Sequence, residues 1–69
     1  MISDVNALVV GQTLYTVTTR NTIDVWEYGG ILQTANATFI ELRNDNKTVW
    51  LPCRFVFATV QEAENATKS

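Results

Sequence analysis

The pattern that most constrains this chain is a pair of strand-like segments on either side of Asp45-Asn46. Asn and Asp favour tight hairpin turns, and a type I′ turn needs positive φ at both central positions. A two-residue turn here pairs Asn44 with Lys47, followed outward by Arg43 with Thr48, Leu42 with Val49, Glu41 with Trp50 and Ile40 with Leu51. A four-residue loop over 44–47 predicts the same pairs, so the pairing does not depend on the turn type.

This pairing separates the side chains of the hairpin into two kinds, because successive side chains of a strand point to opposite faces. One face carries only aliphatic residues, namely Ile40, Leu42, Val49 and Leu51. The other carries Phe39, Glu41, Arg43, Thr48 and Trp50. A slip of one residue would mix the two sets, so the pattern selects the register. The sequence therefore predicts an aliphatic face toward the core and Trp50 on the outside.

Two further strands are predicted before the hairpin. Residues 12–19 are rich in Thr, Val, Tyr and Leu, which favour strands, and Arg20-Asn21 breaks the run. Residues 23–28 form the next run, in which alternation sends Ile23 and Val25 one way and Asp24, Trp26 and Tyr28 the other. Gly29-Gly30 then interrupts the run before Ile31-Leu32, which predicts a bulge or sharp bend in one long strand.

The C-terminal third is predicted to hold a short strand and a short helix. Pro52 has no amide hydrogen to donate, so it should end the fourth strand, and Phe55-Val-Phe57 should form a short closing strand. Thr59-x-x-Glu62 is a capping box that predicts a helix over 59–66, with a frayed tail at 67–69.

The N-terminal segment, residues 1–11, leaves two alternatives open. Ser3-Asp4 followed by Val5, Leu8 and Gly11 fits one short helical turn, whereas Leu8-Val-Val10 fits an extended lead-in strand. The 69 residues make one domain at most, and we expect its barrel to span residues 12–58. Five short strands that close on themselves would leave no free edge.

The predicted order resembles an SH3-like small β-barrel with a short C-terminal helix, so the expected fold class is mainly β. Leu14-Tyr15 and Leu51-Pro-Cys-Arg-Phe-Val56 resemble the two conserved segments of peptide-binding SH3 domains. The acidic loop and the tryptophan pair of those domains are absent, and their groove tyrosine is Phe55 here. The segments Val10-Gly-Gln-Thr-Leu-Tyr15 and Val56-Phe-Ala-Thr-x-x-Glu-Ala63 are similar to small uncharacterised bacterial and bacteriophage barrel proteins. That similarity implies a fold and an origin but no activity.

Several function classes lack the residues that they need. The chain contains no His, and its single Cys53 has no partner for a disulfide or for zinc, so we expect a packing role. We therefore predict no catalysis, cofactor or metal, and we interpret Asp24, Glu27 and Glu41 as solvated surface charge. The net charge is -2, which argues against a nucleic-acid backbone as partner. No signal peptide or membrane-spanning run is recognisable, so a cytoplasmic protein of a cell or a phage-infected host is expected.

The leading functional hypothesis is protein binding through the outer aromatic face. Its candidate residues are Trp50, Phe39, Arg43 and Glu41, extended by Trp26 and Tyr28. Exposed aromatic and Arg side chains are the common anchors of interfaces. Trp26 and Tyr28 could equally cover the ends of the core. The alternatives are a small barrel that stacks single-stranded nucleic acid on its aromatic rings, and a self-associating structural subunit of a phage or bacterial assembly.

Overall fold

The computed structural model describes residue 2 and residues 4–68 of the chain. Five strands and one helix make up the regular structure: β1 (Thr13–Val17), β2 (Ile23–Gln33), β3 (Thr38–Asn44), β4 (Lys47–Pro52), β5 (Val56–Phe57) and α1 (Val60–Thr67). Two single 3₁₀ turns, Val5–Ala7 and Cys53–Phe55, precede β1 and β5. The order of elements follows the prediction from the sequence.

All five strands belong to one antiparallel sheet with the order β4-β3-β2-β1-β5. The prediction of a closed barrel is wrong, since β4 and β5 are the two opposite edges of an open sheet. The reason lies at the end of β4. The 3₁₀ turn Cys53–Phe55 carries the chain away from β4, and the two residues of β5 pair with Tyr15 and Thr16 of β1.

The hairpin of β3 and β4 has the predicted register. Each of the five expected pairs is present, and a sixth joins Phe39 with Pro52. β4 ends at Pro52, as expected. The turn itself differs from the expected type I′. Of its two central residues only Asp45, with φ of 52°, has positive φ, and type I′ needs positive φ at both. The face assignment is unaffected because the number of turn residues, not their torsion angles, determines the pairs.

β2 is one strand of 11 residues that bends at the predicted glycine pair. Its pairing with β3 shifts between Tyr28 and Gly30, so Gly29 is the extra residue of a β-bulge. Gly30 has φ of 138°, a conformation that L side chains rarely adopt. The bulge reverses the alternation of faces, so that even-numbered residues face the core before Gly29 and face outward after it.

The core lies on one side of this sheet. Leu14, Ile40, Leu42 and Val56 are fully buried there, and Ile2, Trp26 and Tyr28 complete the cluster. Val49 and Leu51 pack against it while staying half-buried, as the hairpin pattern predicts. The polar Thr16 is buried with them and accepts a 2.8 Å hydrogen bond from the indole Nε1 of Trp26.

The two ends of the chain cover this core. Of the alternatives for residues 1–11, the structure has the helical turn, at Val5–Ala7. Asp4 caps its N-terminus, because its side chain accepts a 3.0 Å hydrogen bond from the amide of Asn6. The role of Ser3 and the end of the tail at Ser69 lie outside the described residues. At the other end, Thr59 accepts from the amide of Glu62 at 3.2 Å and begins α1, which buries Ala63 against the sheet.

Candidate functional site

The side of the sheet that faces away from the core carries an apolar cluster that we call the outer patch, formed by Leu32, Phe39, Trp50 and Pro52. The register places Leu32, Phe39 and Pro52 side by side on β2, β3 and β4. Trp50 lies in the next row, opposite Glu41. Trp50 is 51% exposed and Leu32 is 49% exposed, while Phe39 and Pro52 are half-buried. Because three paired strands carry it, the outer patch is a rigid surface and not a mobile loop.

An ion pair borders the outer patch. Nη2 of Arg43 lies 2.6 Å from Oε2 of Glu41, two residues away on the same strand. That oxygen is shielded from solvent, and its contact with the guanidinium is ionic and lacks the alignment of a hydrogen bond. Both side chains lie over Gly29, where a Cβ atom would come within 2.7 Å of Nε of Arg43. The bulge glycine therefore makes room for the pair beside Trp50.

Trp26 and Tyr28 do not belong to this surface, so their assignment to the binding face is wrong. Trp26 is 8% exposed and Tyr28 is 5% exposed. Trp26 pairs with Leu14, and Tyr28 pairs with Leu42, both of which are fully buried. Side chains directly opposite each other in a sheet share a face, so the neighbours of β2 direct both rings into the core. The alternative left open by the sequence was that these rings cover the ends of the core, and both rings are buried in the core cluster.

Leu32 and Val25 are outer residues that the sequence pattern did not identify. Leu32 falls after the bulge, where the alternation reverses. Counting along the strand without the bulge would put it on the same face as Trp26 and Tyr28, which is the core face. Val25 is 53% exposed and lies beside Tyr15 at the far end of the outer side, beyond the polar row of Glu27 and Arg43. Val25 lies before the bulge, and its face is decided by the pairing of β2 with β1 and β3, which the sequence of β2 does not contain.

The three carboxylates singled out in the sequence, Asp24, Glu27 and Glu41, do not all lie on one face of the sheet. Asp24 pairs with Thr16 on the face opposite to Glu27, and Glu41 is held by Arg43. Within residues 2 and 4–68, no group of three or more His, Cys, Asp or Glu side chains could hold a metal ion. Cys53 is half-buried, with Sγ 3.9 Å from the carbonyl oxygen of Thr38, which is the packing position expected of it.

A shallow groove of about 410 Å³ lies between the start of β1 and the β3–β4 turn, and no residue of the outer patch lines it. Its charged lining residues are Glu27, Arg43 and Asp45, so both signs of charge occur in it. No helix in the described part of the chain has the length and apolar character needed to cross a membrane.

Comparison of the chain with protein-family models, with curated proteins and with solved structures found no match. The candidate site therefore depends on the geometry of the chain itself.

Proposed function

We propose that this chain is a non-catalytic protein-interaction module that binds its partner through the outer patch. The observation that carries the proposal is the half-exposed Trp50 on β4 of a rigid sheet. The exposed Leu32 lies on β2 in the adjacent row of side chains on the same face. Clustered apolar side chains around a tryptophan are the usual centre of an interface, and charged residues at the border are its usual rim. Glu41 and Arg43 take the rim position here.

The contribution of Trp50 to binding can be sized from its exposure. A Trp side chain buries about 150–250 Å² when it is fully covered, so half of it offers roughly 100 Å². At about 25 cal/mol per Å² this area is worth about 2.5 kcal/mol when a partner covers it completely. Since about 1.4 kcal/mol corresponds to a tenfold change in affinity, loss of this ring should weaken binding by more than tenfold.

Charge favours a protein over a nucleic acid as the partner. Arg43 lies at the border of the outer patch, and its guanidinium is already paired with Glu41. A phosphate backbone is bound by unpaired Lys and Arg side chains, and its binding depends steeply on salt. A single-stranded oligonucleotide stacked on Trp50 is the alternative, and salt-dependent binding of an oligonucleotide would support it instead.

We further propose that the chain is related to SH3-like proteins, that it comes from a bacterium or bacteriophage, and that it functions inside a cell. The element order and the proline turn after β4 support the relationship. A structural subunit of a larger assembly is the second form that an interaction module of this size could take.

The test compares three alanine variants in two association assays, namely solution mass by light scattering over a concentration series and capture of cell proteins on immobilised protein. Trp50→Ala and Leu32→Ala should weaken association, whereas Val25→Ala should not, because Val25 is equally exposed but lies beyond the polar row. Circular dichroism verifies that each variant is folded. Equal loss in all three variants, or no association of the wild-type protein in either assay, would show that the outer patch is not a binding site.

A further inference from the structure

β4 has one unpaired side. Among residues 2 and 4–68 it pairs with β3 only, and it forms an edge of the sheet. The two-residue turn makes Asn44 and Lys47 a hydrogen-bonded pair, and such pairs alternate along an antiparallel ladder. The backbone N–H and C=O groups of Thr48 and Trp50 therefore point away from β3. Pro52 occupies the next position of this kind, where the missing amide hydrogen costs the hairpin nothing.

The side chains of β4 are incompletely covered on both faces of the sheet. Trp50 is half-exposed on the outer face. Val49 and Leu51 contact the core from the other face but remain half-buried. A partner lying flat on the outer patch would cover Trp50 alone. A strand added alongside β4 would cover all three side chains and satisfy the free backbone groups. A partner that adds a strand therefore fits this edge better than a partner that lies flat on the outer patch.

We propose that this added strand is β4 of a second copy of the chain, paired antiparallel with Val49 on the two-fold axis. Thr48 of each copy then faces Trp50 of the other, and both of these pairs exchange two backbone hydrogen bonds. This inference rests on the proposed function, for which it names the partner and extends the contact from the outer patch to the neighbouring edge.

Charge and shape along β4 favour a second copy in this arrangement. Lys47 is the one charged residue of the strand. In the antiparallel pairing it lies opposite Leu51 of the second copy, and the two Lys47 positions are about 14 Å apart at about 3.4 Å per residue. A parallel pairing would place the two ammonium groups next to each other. On the axis, Val49 meets Val49, and two β-branched residues pack well across strands.

Pro52 excludes the neighbouring antiparallel register. If the axis passed through Trp50 instead, Pro52 would lie opposite Thr48 of the second copy. Pro52 has no amide hydrogen, so the backbone carbonyl of the facing Thr48 would then meet the pyrrolidine ring and lack a donor. With Val49 on the axis, Pro52 lies beyond the paired segment and Trp50 contacts Thr48, a small side chain.

Amide hydrogen exchange measured by NMR over a concentration series up to about 1 mM tests the proposal on the unmodified protein. Exchange at Thr48 and Trp50 should slow at least tenfold as the solution mass doubles. The amides of Val49 and Leu51, which bond to β3 in either state, should be slow at all concentrations. If the mass doubles while Thr48 and Trp50 remain unprotected, the copies do not pair along β4, although the outer patch still binds.

A matched pair of variants tests the same edge. Thr48→Pro removes an outward-pointing amide hydrogen without breaking a bond to β3, and Thr48→Val keeps that hydrogen in a side chain of similar shape. We expect the proline variant to associate at least tenfold more weakly than the valine variant. Equal association of the two variants would overturn the edge pairing.

A wild-type chain that stays monomeric up to about 1 mM would overturn the choice of a second copy, because its dissociation constant would then lie above about 1 mM. The proposed function would then be judged separately, by whether Trp50→Ala loses a heterologous partner that Val25→Ala retains. If Thr48→Pro does not fold, the exchange measurement on the wild-type protein decides the matter.

Discussion

The two adjacent glycines of the β2 bulge should respond in opposite ways to replacement by alanine. Gly29 has close neighbours but an ordinary backbone conformation, whereas Gly30 has open space around it and φ of 138°. Sequence alone gives no reason to distinguish them. The structure predicts that the crowded position tolerates alanine and that the open one does not.

For Gly29→Ala two small effects nearly cancel. The new methyl group meets the carboxylate end of Glu41 and lies 2.7 Å from Nε and 3.1 Å from Cζ of Arg43, all of which are ends of flexible side chains that can move. Displacing this ion pair, whose side chains are 20% and 51% exposed, should cost about 0.2–1 kcal/mol. Replacing glycine restricts the unfolded chain and stabilises the fold by about 0.4–1 kcal/mol. We expect a net change in unfolding free energy within about 0.5 kcal/mol of zero.

For Gly30→Ala the backbone term dominates. A non-glycine residue in so sparsely populated a conformation costs about 1–3 kcal/mol, against the same gain of about 0.4–1 kcal/mol from the unfolded state. The expected net loss is about 1–2 kcal/mol. In a domain of this size each kcal/mol corresponds to roughly 4–8 °C in Tm, so Gly30→Ala should lower Tm by about 5–15 °C.

Urea unfolding followed by tryptophan fluorescence measures both variants against the wild-type protein. Glu41→Gln combined with Gly29→Ala then completes a double-mutant cycle. Because the alanine has already displaced the carboxylate, Glu41→Gln should cost less in the Gly29→Ala background than in the wild type. A larger loss of stability for Gly29→Ala than for Gly30→Ala would refute the reasoning, since it would mean that packing over the bulge outweighs backbone strain.

Two further substitutions test the core and the helix cap. Thr16→Val keeps the shape of the side chain but leaves the buried Nε1–H of Trp26 without its 2.8 Å acceptor, so unfolding free energy should fall by about 1–3 kcal/mol in urea titrations. Thr59→Ala removes the side chain that accepts from the amide of Glu62, and we expect a loss of about 1 kcal/mol together with faster amide exchange in α1. An unchanged Tm in either variant would contradict the corresponding role.

The hairpin was predictable because three kinds of evidence in its sequence agree. The turn residues and the segregation of Ile40, Leu42, Val49 and Leu51 onto one face select one register, Pro52 marks the end of the strand, and the structure has that register. Nothing outside the hairpin is needed to decide which face is buried. Trp50 could therefore be placed on the outer face from the sequence alone.

The faces of β2 could not be assigned in the same way. Both alternating sets contain large apolar residues, Ile23 and Val25 in one and Trp26 and Tyr28 in the other. The choice is made by neighbouring strands, since β1 offers Leu14 and β3 offers Leu42 on the same side. Pairing between separate strands is a tertiary property, and the alternation of one strand does not contain it. The bulge at Gly29 adds a reversal of faces whose position the glycine pair indicates only to within one residue.

The failure of the barrel to close leaves β4, the strand that carries Trp50, with one neighbouring strand among the described residues. Pro52 was correctly predicted to end β4, but the turn after it delivers only Val56–Phe57 as a strand, and this strand pairs with β1. A two-residue strand at the opposite edge cannot also satisfy β4, so β4 keeps a free side. Lys47 and Pro52 protect the two ends of that side in the usual manner of edge strands, while Thr48–Leu51 between them carries no charge. An edge left open at its centre and bearing a half-exposed tryptophan is more consistent with a surface used for pairing than with one shielded from it, and protection of the Thr48 and Trp50 amides would distinguish the two.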